Sequence, residues 1–579
     1  MSTTSSSLTF QFALLEVSVL PQFPLKLGHE TFDRVCNYIQ KDLKYEGPLG
    51  LSCDDTKLLS TLHTYWDALA KTYYLVGHTG EPIAVANPEE LKALLKSETL
   101  EKATKVRVWC VQIPMPKASS IVAHVLAIPN SCGAKELQAY SDKIICSLVQ
   151  RGLKVISYAC DGTETERKVQ RCLIRDSPFR ITYTIRHSNP AVDFKDMTVI
   201  IATREAQPIV MIQDSKHALK TMHNNNFSGT KHLVLGNTTA KYSDVRDAAF
   251  GPGIPPLYPR DVENLDRQDD NAATQLFSAS SLEYLATHFP DHVGEIVYLF
   301  IFGELVDAYQ NRKISHLSRI KMVLRTRYFL DIWARFLDRA GYVKSKHFIS
   351  REATDIVQIV IEGLIGLVII HRDYMDDKIY PLLPWMHSSE VCKHIFAECR
   401  KLVKDFAFTD LIQMMPRLHV FIRAIVLLNV MTDPKARASG YAHTYFNSHG
   451  INLGELACFP TDSEIQSATK DAWEEAENLF NILGVSPSDL LSASHPTLPS
   501  INSWYAPGMD PMADKAGSDT DSSEDEQDKG DDEVGDTNKL RQLLVDIRRS
   551  GFYEHSVDER LLNLQCAAVA MDIDDLVQL

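Results

Sequence analysis

The sequence predicts an α/β fold: a mixed sheet interrupted by a large all-α block, then a helical C-terminal region containing an acidic, disordered segment. Three observations predict it. Short β-like runs end in aspartates three times: Leu49–Cys53 before Asp54-Asp55, Leu153–Tyr158 shortly before Asp161-Gly162, and Ile209–Ile212 before Gln213-Asp214. From about residue 226 to 380 the pattern becomes long and helical. Ser518–Asp536 holds ten acidic residues and one lysine, a low-complexity composition that cannot bury a core.

Size and composition set the bounds. A chain of 579 residues has material for roughly three to four domains. Its 45% apolar and 23% charged content is ordinary for globular proteins. Of the net charge of −15, −9 falls within Ser518–Asp536, so the whole-chain charge does not mark a nucleic-acid binder. The eleven cysteines form no CxxC pair and no zinc-finger spacing with histidine. Scattered and odd in number, they point to a reducing, intracellular compartment and to thiols packed as small hydrophobes. The first twenty residues lack a basic start and carry Glu16, so no secretory leader is expected. The most apolar run, Ile356–Ile370, contains Gln358 and Glu362 and is shorter than the roughly 20 residues of a membrane span; it predicts a buried helix.

The elements follow in order. Residues 1–45 are a lead-in, with an amphipathic helix over Phe32–Leu43. Residues 46–225 form the first part of the core. There the first strand ends at Asp54, Leu58–Leu69 reads as helical, and Tyr73–Val76 and Val106–Ile113 read as strands. Glu136–Gln150 places Leu137, Tyr140, Ile144 and Leu148 on one helical face and ends at Gly152. Strands at Phe179–Arg186, Thr198–Ala202 and Ile209–Ile212 complete this part. Three strands, a helix and further strands suit a mixed sheet of the RNase H type. In that layout the first and fourth strands are parallel neighbours, so Asp54 and Asp161 meet at one edge. Residues 226–380 are the helical insertion, with a basic run over Asn311–Arg327 that reads either as a phosphate-contact surface or as a solvated helix face. Residues 381–430 hold a final core helix, 431–505 are loop-rich with a helix near Glu464–Leu483, 506–540 form the disordered acidic linker, and 541–579 return to helical periodicity.

Carboxylates that meet at a sheet edge can hold Mg²⁺ (or Mn²⁺), which takes oxygen ligands and in pairs drives phosphodiester chemistry. Asp54 and Asp161 are the candidate ligands and catalytic acids. The plainer reading is that both are turn or helix-cap residues.

One further stretch narrows the choice. Asp214-x-x-His217-x-x-Lys220-Thr221-x-x-Asn224-Asn225 resembles the DxxHLxKxxRNN signature of P-element-type transposases and their THAP-domain relatives, with His223 where that family has Arg. Cys53-Asp54-Asp55-Thr56-Lys57-Leu58 resembles the strand end that supplies the family's first catalytic Asp, and Asp161-Gly162 resembles the second. Ser388-Ser389-Glu390-Val391-Cys392-Lys393-His394-Ile395-Phe396 resembles the SQDxxENFF helix that supplies the catalytic Glu. The resemblance covers roughly residues 45–430. It implies an RNase H-like core with a helical, GTP-binding type of insertion, metal-dependent DNA cleavage and strand transfer, and a nuclear rather than cytoplasmic location. DNA and further copies of the same chain are the expected partners, and no membrane. Any GTP site is not a P-loop, because no GxxxxGK[ST] occurs. Asp214, Lys220, Asn224 and Asn225 are its candidate contacts.

One residue departs from the family with consequences. Lys393 stands where the catalytic Glu is expected. At about 4 Å and an effective dielectric near 20, each unit-charge interaction is worth about 4 kcal/mol, so an ammonium there repels a metal strongly. Glu390, one turn earlier, is the candidate replacement acid. Three readings follow: an impaired DDE-type enzyme, a domesticated scaffold that binds nucleic acid or protein without cutting, and a nucleotide-binding α/β enzyme that uses the turn after Tyr158.

Overall fold

The computed structural model describes residues 22–428 and 451–491, apart from 98–99, 117, 190–193, 195, 228–230, 264–269 and 376–379. The acidic segment expected at 506–540 and the helices expected at 541–579 lie outside the described residues.

Helix α1 (His29–Cys36) leads to strand β1 (Pro48–Lys57). A separate antiparallel sheet follows, β2 (His63–Asp67), β3 (Thr72–Val76) and β4 (Ile83–Val85), then helix α2 (Pro88–Lys96). Next come β5 (Lys105–Gln112), β6 (Ile121–Ile128), α3 (Ala134–Val149), β7 (Lys154–Cys160), α4 (Glu164–Arg175), β8 (Arg180–Ile185), β9 (Met197–Arg204), β10 (Gln207–Gln213) and α5 (Ser215–Phe227). The hairpin β11 (Leu233–Leu235) and β12 (Thr238–Ala240) opens the helical block. That block comprises α6 (Tyr242–Ala249), α7 (Pro259–Glu263), α8 (Asp270–Leu276), α9 (Ala279–His288), α10 (Val293–Gln310), α11 (His316–Ala340), α12 (Lys344–His347) and α13 (Arg351–Asp373). The chain returns to the sheet with α14 (Glu390–Leu402) and α15 (Phe408–Leu428), and α16 (Asp462–Ile482) and α17 (Pro487–Leu491) follow.

The central sheet has seven strands in the order β6-β5-β1-β7-β10-β9-β8. β6, β5 and β1 are antiparallel, β1, β7 and β10 are parallel, and β10, β9 and β8 are antiparallel. A three-stranded meander joined to two parallel strands is the RNase H-like arrangement, extended here by β9 and β8. The fold class read from the sequence holds, with two changes inside it. Leu58–Leu69 is not helical: His63–Asp67 pairs with Thr72–Val76, because Tyr65 and Trp66 suit a pleated surface and find cross-strand partners there. Tyr73–Val76 belongs to the separate sheet, and the meander's remaining strand is Ile121–Ile128, whose residues are all buried.

Alternation divides the sheet into two faces. Leu49, Leu51 and Cys53 of β1 point with Trp109 and Tyr158 into a core shared with α1 and α3. Val106, Val108 and Cys110 of β5 point the other way, against Val391, Cys392 and Ile395 of α14. β7 carries one extra residue. Leu49 faces Val155 but Gly50 faces Ser157, so Ile156 is a bulge. From there the register runs Ser52 opposite Ala159, and its continuation sets Asp54 opposite Asp161. Were the same residues paired in unbroken register, Cys160 would stand there and Asp161 would turn to the other face.

Helix α13 is long and apolar enough to cross a bilayer, yet 83% of its apolar window is buried, and it packs against β10, as expected for the run Ile356–Ile370. Segment 451–491 docks on the helical block. α16 begins with a Thr461–Glu464 capping box and lies along α11, where Trp473 meets Tyr328 and His187.

Candidate functional site

Three parallel strands deliver three aspartates to one level. Asp54 ends β1's buried part, Asp161 follows β7, and Asp214 follows β10, with the Asp214 N–H donating to Cys160 O at 3.0 Å to prolong the ladder. Adjacent strands lie about 4.8 Å apart, so these carboxylates form a row. Across from it stands the first turn and a half of α14. Ser389 Oγ donates to Asp214 Oδ2 at 2.8 Å. Lys393 Nζ donates to the same oxygen at 3.1 Å and to Glu390 Oε1 at 3.1 Å. Lys216 Nζ donates to Glu390 Oε2 at 2.9 Å. Beneath the row, Ser157 Oγ and His387 Nδ1 lie 2.8 Å apart.

The sequence-predicted acids are therefore brought together, in company that the sequence did not reveal. Glu390 is a near neighbour of the row, but each of its oxygens bonds an ammonium. Burial pushes its carboxyl up, and Lys393, Lys216 and His394 outweigh that and hold it well below the usual range. Burial, with Asp161 beside it, holds the Asp54 carboxyl well above the usual range against the pull of Lys393. Burial also raises Asp161, but His217, the Thr163 N–H and Lys393 outweigh it, and the net shift is downward. His217 is itself pulled down by burial, so Lys393 and the Thr163 N–H are the durable partners of Asp161. Neighbouring carboxyls do not readily ionise together, and of this pair Asp54 is the one shifted upward and Asp161 the one shifted downward.

Gly162 fixes the turn after β7. A Cβ there would lie 2.7 Å from His217 Cδ2 and 2.7 Å from Ile356 Cδ1, so the ring and the helix fill the space a side chain would need. Gly162→Ala is expected to cost about 1–3 kcal/mol in urea unfolding, the range for overpacking a closed site.

Magnesium needs oxygen ligands left open to it. Here Asp214 and Glu390 are bonded to Lys393, and among the described residues no group of three or more His, Cys, Asp or Glu has a metal-holding arrangement. The set does not fit a divalent ion. Guanine nucleotide fares no better. Asp214 is fully buried under Ser389 and Lys393, and the Asn225 amide accepts from Ser350 N–H at 2.7 Å and donates to Thr221 O at 2.8 Å, bracing α5 against the start of α13. Lys220 and Asn224 lie on the same helix, half-buried.

Of the six cations in the basic run Asn311–Arg327, Lys313 is exposed and Arg312 half-buried, while the other four are held by internal partners. Arg319 is fully buried and donates to Ala308 O and Asn311 O, both at 2.6 Å. Arg325 bonds Glu304 and Glu475, Lys321 bonds Glu475, and Arg327 bonds Asp331. The run carries no acid of its own because its acids come from other helices or from farther along its own.

On the opposite face of β1 lies a polar network that the sequence did not announce. Arg107, 3% exposed, holds Asp55 through Nε at 2.6 Å and Nη2 at 2.9 Å, and it also bonds Glu166. Burial, helped by Asp55 and Asp161 and opposed by Arg107, pushes the Glu166 carboxyl up to about 7. Tyr158 Oη lies 3.0 Å from Cys53 Sγ and 3.0 Å from Ser141 Oγ, which accepts from Trp109 Nε1 at 3.1 Å. Of the residues around the carboxylate row, Lys216 carried the one signal a sequence could give: a cation two positions after a strand-end Asp, in the first turn of a helix.

No protein-family model matches this chain, and no curated protein matches it. Among solved structures it is similar to a chain of a Drosophila P element transposase strand transfer complex, with 12% identity, a TM-score of 0.46, and coverage of 72% of this chain and 84% of that one.

Proposed function

We propose that this is a transposase-derived protein that keeps the strand-end carboxylates of an RNase H-like nuclease but neutralises them with its own lysine, and that acts by binding DNA rather than by cutting it. The observation that carries the reading is Lys393, whose ammonium bonds Asp214 and Glu390 and faces Asp54 and Asp161. An ammonium in that place supplies the positive charge that metal ions supply in two-metal phosphodiester chemistry, without an open coordination position. Lys216 completes the balance by holding the second oxygen of Glu390. DNA enters through the resemblance of the four motifs, and guanine nucleotide has no part, because Asp214 and Asn225 are committed to internal bonds. The alternative of a nucleotide enzyme built on the turn after Tyr158 is disfavoured by His217 and Ile356, which crowd Gly162.

The test is an incubation of the full chain with labelled duplex DNA in Mg²⁺ or Mn²⁺, read on a denaturing gel beside a salt series of binding by anisotropy. The expected result is salt-dependent binding with no metal-dependent nick, unchanged in Asp54→Ala. Metal-dependent nicking that disappears in Asp54→Ala or Asp161→Ala overturns the non-cutting part. Absence of binding at low salt overturns the DNA part.

A further inference from the structure

Between α6 and α7 the chain reads Gly251-Pro252-Gly253-Ile254-Pro255-Pro256-Leu257-Tyr258-Pro259. The loop is held at two points. Tyr284 Oη donates to Pro252 O at 2.6 Å, and Leu257 is buried in the core of the helical block. What lies between and beside those anchors faces outward: Ile254 is 94% exposed and Tyr258 59% exposed, and Pro255 and Pro256 are half-buried. The Arg260 guanidinium lies over the Tyr258 ring, 5.3 Å from its centroid.

The local sequence dictates the backbone. Ile254, Pro255 and Tyr258 each precede a proline, and a residue in that place is driven out of the helical region into extended or polyproline II conformation. Within the segment the chain bends at Pro256 and Leu257. Leu257 is turned in and Tyr258 turned out. A segment whose proline rings already fix part of its backbone loses less conformational freedom on binding. Proline-rich extended segments are recognised by aromatic-lined grooves on small domains.

We propose that residues Pro255–Tyr258, a Pro-Pro-x-Tyr element displayed on the helical block, form a docking segment for a protein module of the WW class. Such a module clamps the two prolines against paired aromatic rings and takes the tyrosine ring in an adjoining pocket. The segment lies on the helical insertion and owes nothing to the carboxylate row, so the proposal stands apart from the DNA-binding reading.

The test uses the full chain, titrated into a fluorescently labelled WW domain selected for Pro-Pro-x-Tyr ligands, beside a labelled SH3 domain and a synthetic peptide spanning residues 251–260. Saturable binding of the WW domain by the full chain is expected. Tyr258→Ala and Pro256→Ala should each weaken it by about tenfold or more, the loss that follows removal of an interface anchor. Unchanged unfolding midpoints in both variants would tie that loss to the segment itself. Three results overturn the proposal: equal binding by Tyr258→Ala and the parent, binding of the peptide but not of the full chain, and binding of the SH3 domain alone.

Discussion

Lys393→Glu is expected to lower the stability of the fold by about 3 kcal/mol or more near pH 8, measured by urea unfolding. Breaking a buried ion pair by removing one partner costs about 3–5 kcal/mol, and this change also adds a fifth carboxyl to four already crowded ones. The parent arrangement has Asp214 and Glu390 on the ammonium, with Asp54 already driven toward its neutral form. In the variant the acids must share protons, so their folded pKa values rise above the unfolded ones. A raised carboxyl stabilises the fold below the unfolded pKa, and that contribution is lost as pH climbs through the folded pKa. The deficit should therefore shrink on moving from pH 8 to pH 5. Millimolar Mn²⁺ should recover part of it in the variant and leave the parent unaffected, because ligand binding to the native state alone stabilises it. Lys393→Met, which removes the charge without adding an acid, should lose stability but gain nothing from the metal. A parent stabilised by Mn²⁺ as strongly as Lys393→Glu would contradict the assignment of Lys393 as the resident cation.

The second large effect lies on the other face of the same strand. Arg107→Leu should cost about 3–5 kcal/mol at pH 8, because it leaves Glu166 buried and without its guanidinium, while the more exposed Asp55 can turn to water. Glu166 is pushed up to about 7 even with Arg107 present, and losing that cation drives it higher. At pH 5.5 it is neutral, and most of the penalty should vanish. Adding Glu166→Gln to Arg107→Leu should restore part of the stability at pH 8, which a double-mutant cycle measures directly. A cost independent of pH would mean that packing, not charge, decides this site.

Much of this was legible in the sequence for definite reasons. Apolar strands that run into Asp announce themselves through the change to turn and cap residues, so β1, β7 and β10 and their aspartates could be placed. The 226–380 block was legible because helical periodicity persists over long stretches. What failed depends on partners distant in sequence. β6 reads as an unbroken apolar run, which periodicity cannot assign, and β2 became a strand through pairing with β3. Arg319, Arg325 and Arg327 looked like a surface because their acceptors, from Ala308 O to Glu475, lie on other elements or elsewhere on their own. The role of Lys393 as a substitution could be named from a motif. That its ammonium reaches Asp214 rather than solvent required the return of α14 to the sheet.

The bulge at Ile156 has a consequence for how such chains are compared. A parallel ladder reads out residues two at a time, and a single inserted residue shifts the phase of everything downstream by half a repeat. Counted from the start of β7, Asp161 falls on the wrong side; counted back from its turn, it falls on the right one. A relative one residue shorter in β7 would bring its aspartate to the row without a bulge, while one of the same length paired in unbroken register would keep the aspartate in its sequence and lose it from the row. Aligning strand ends rather than strand starts is thus the comparison that tells a retained carboxylate from a misplaced one.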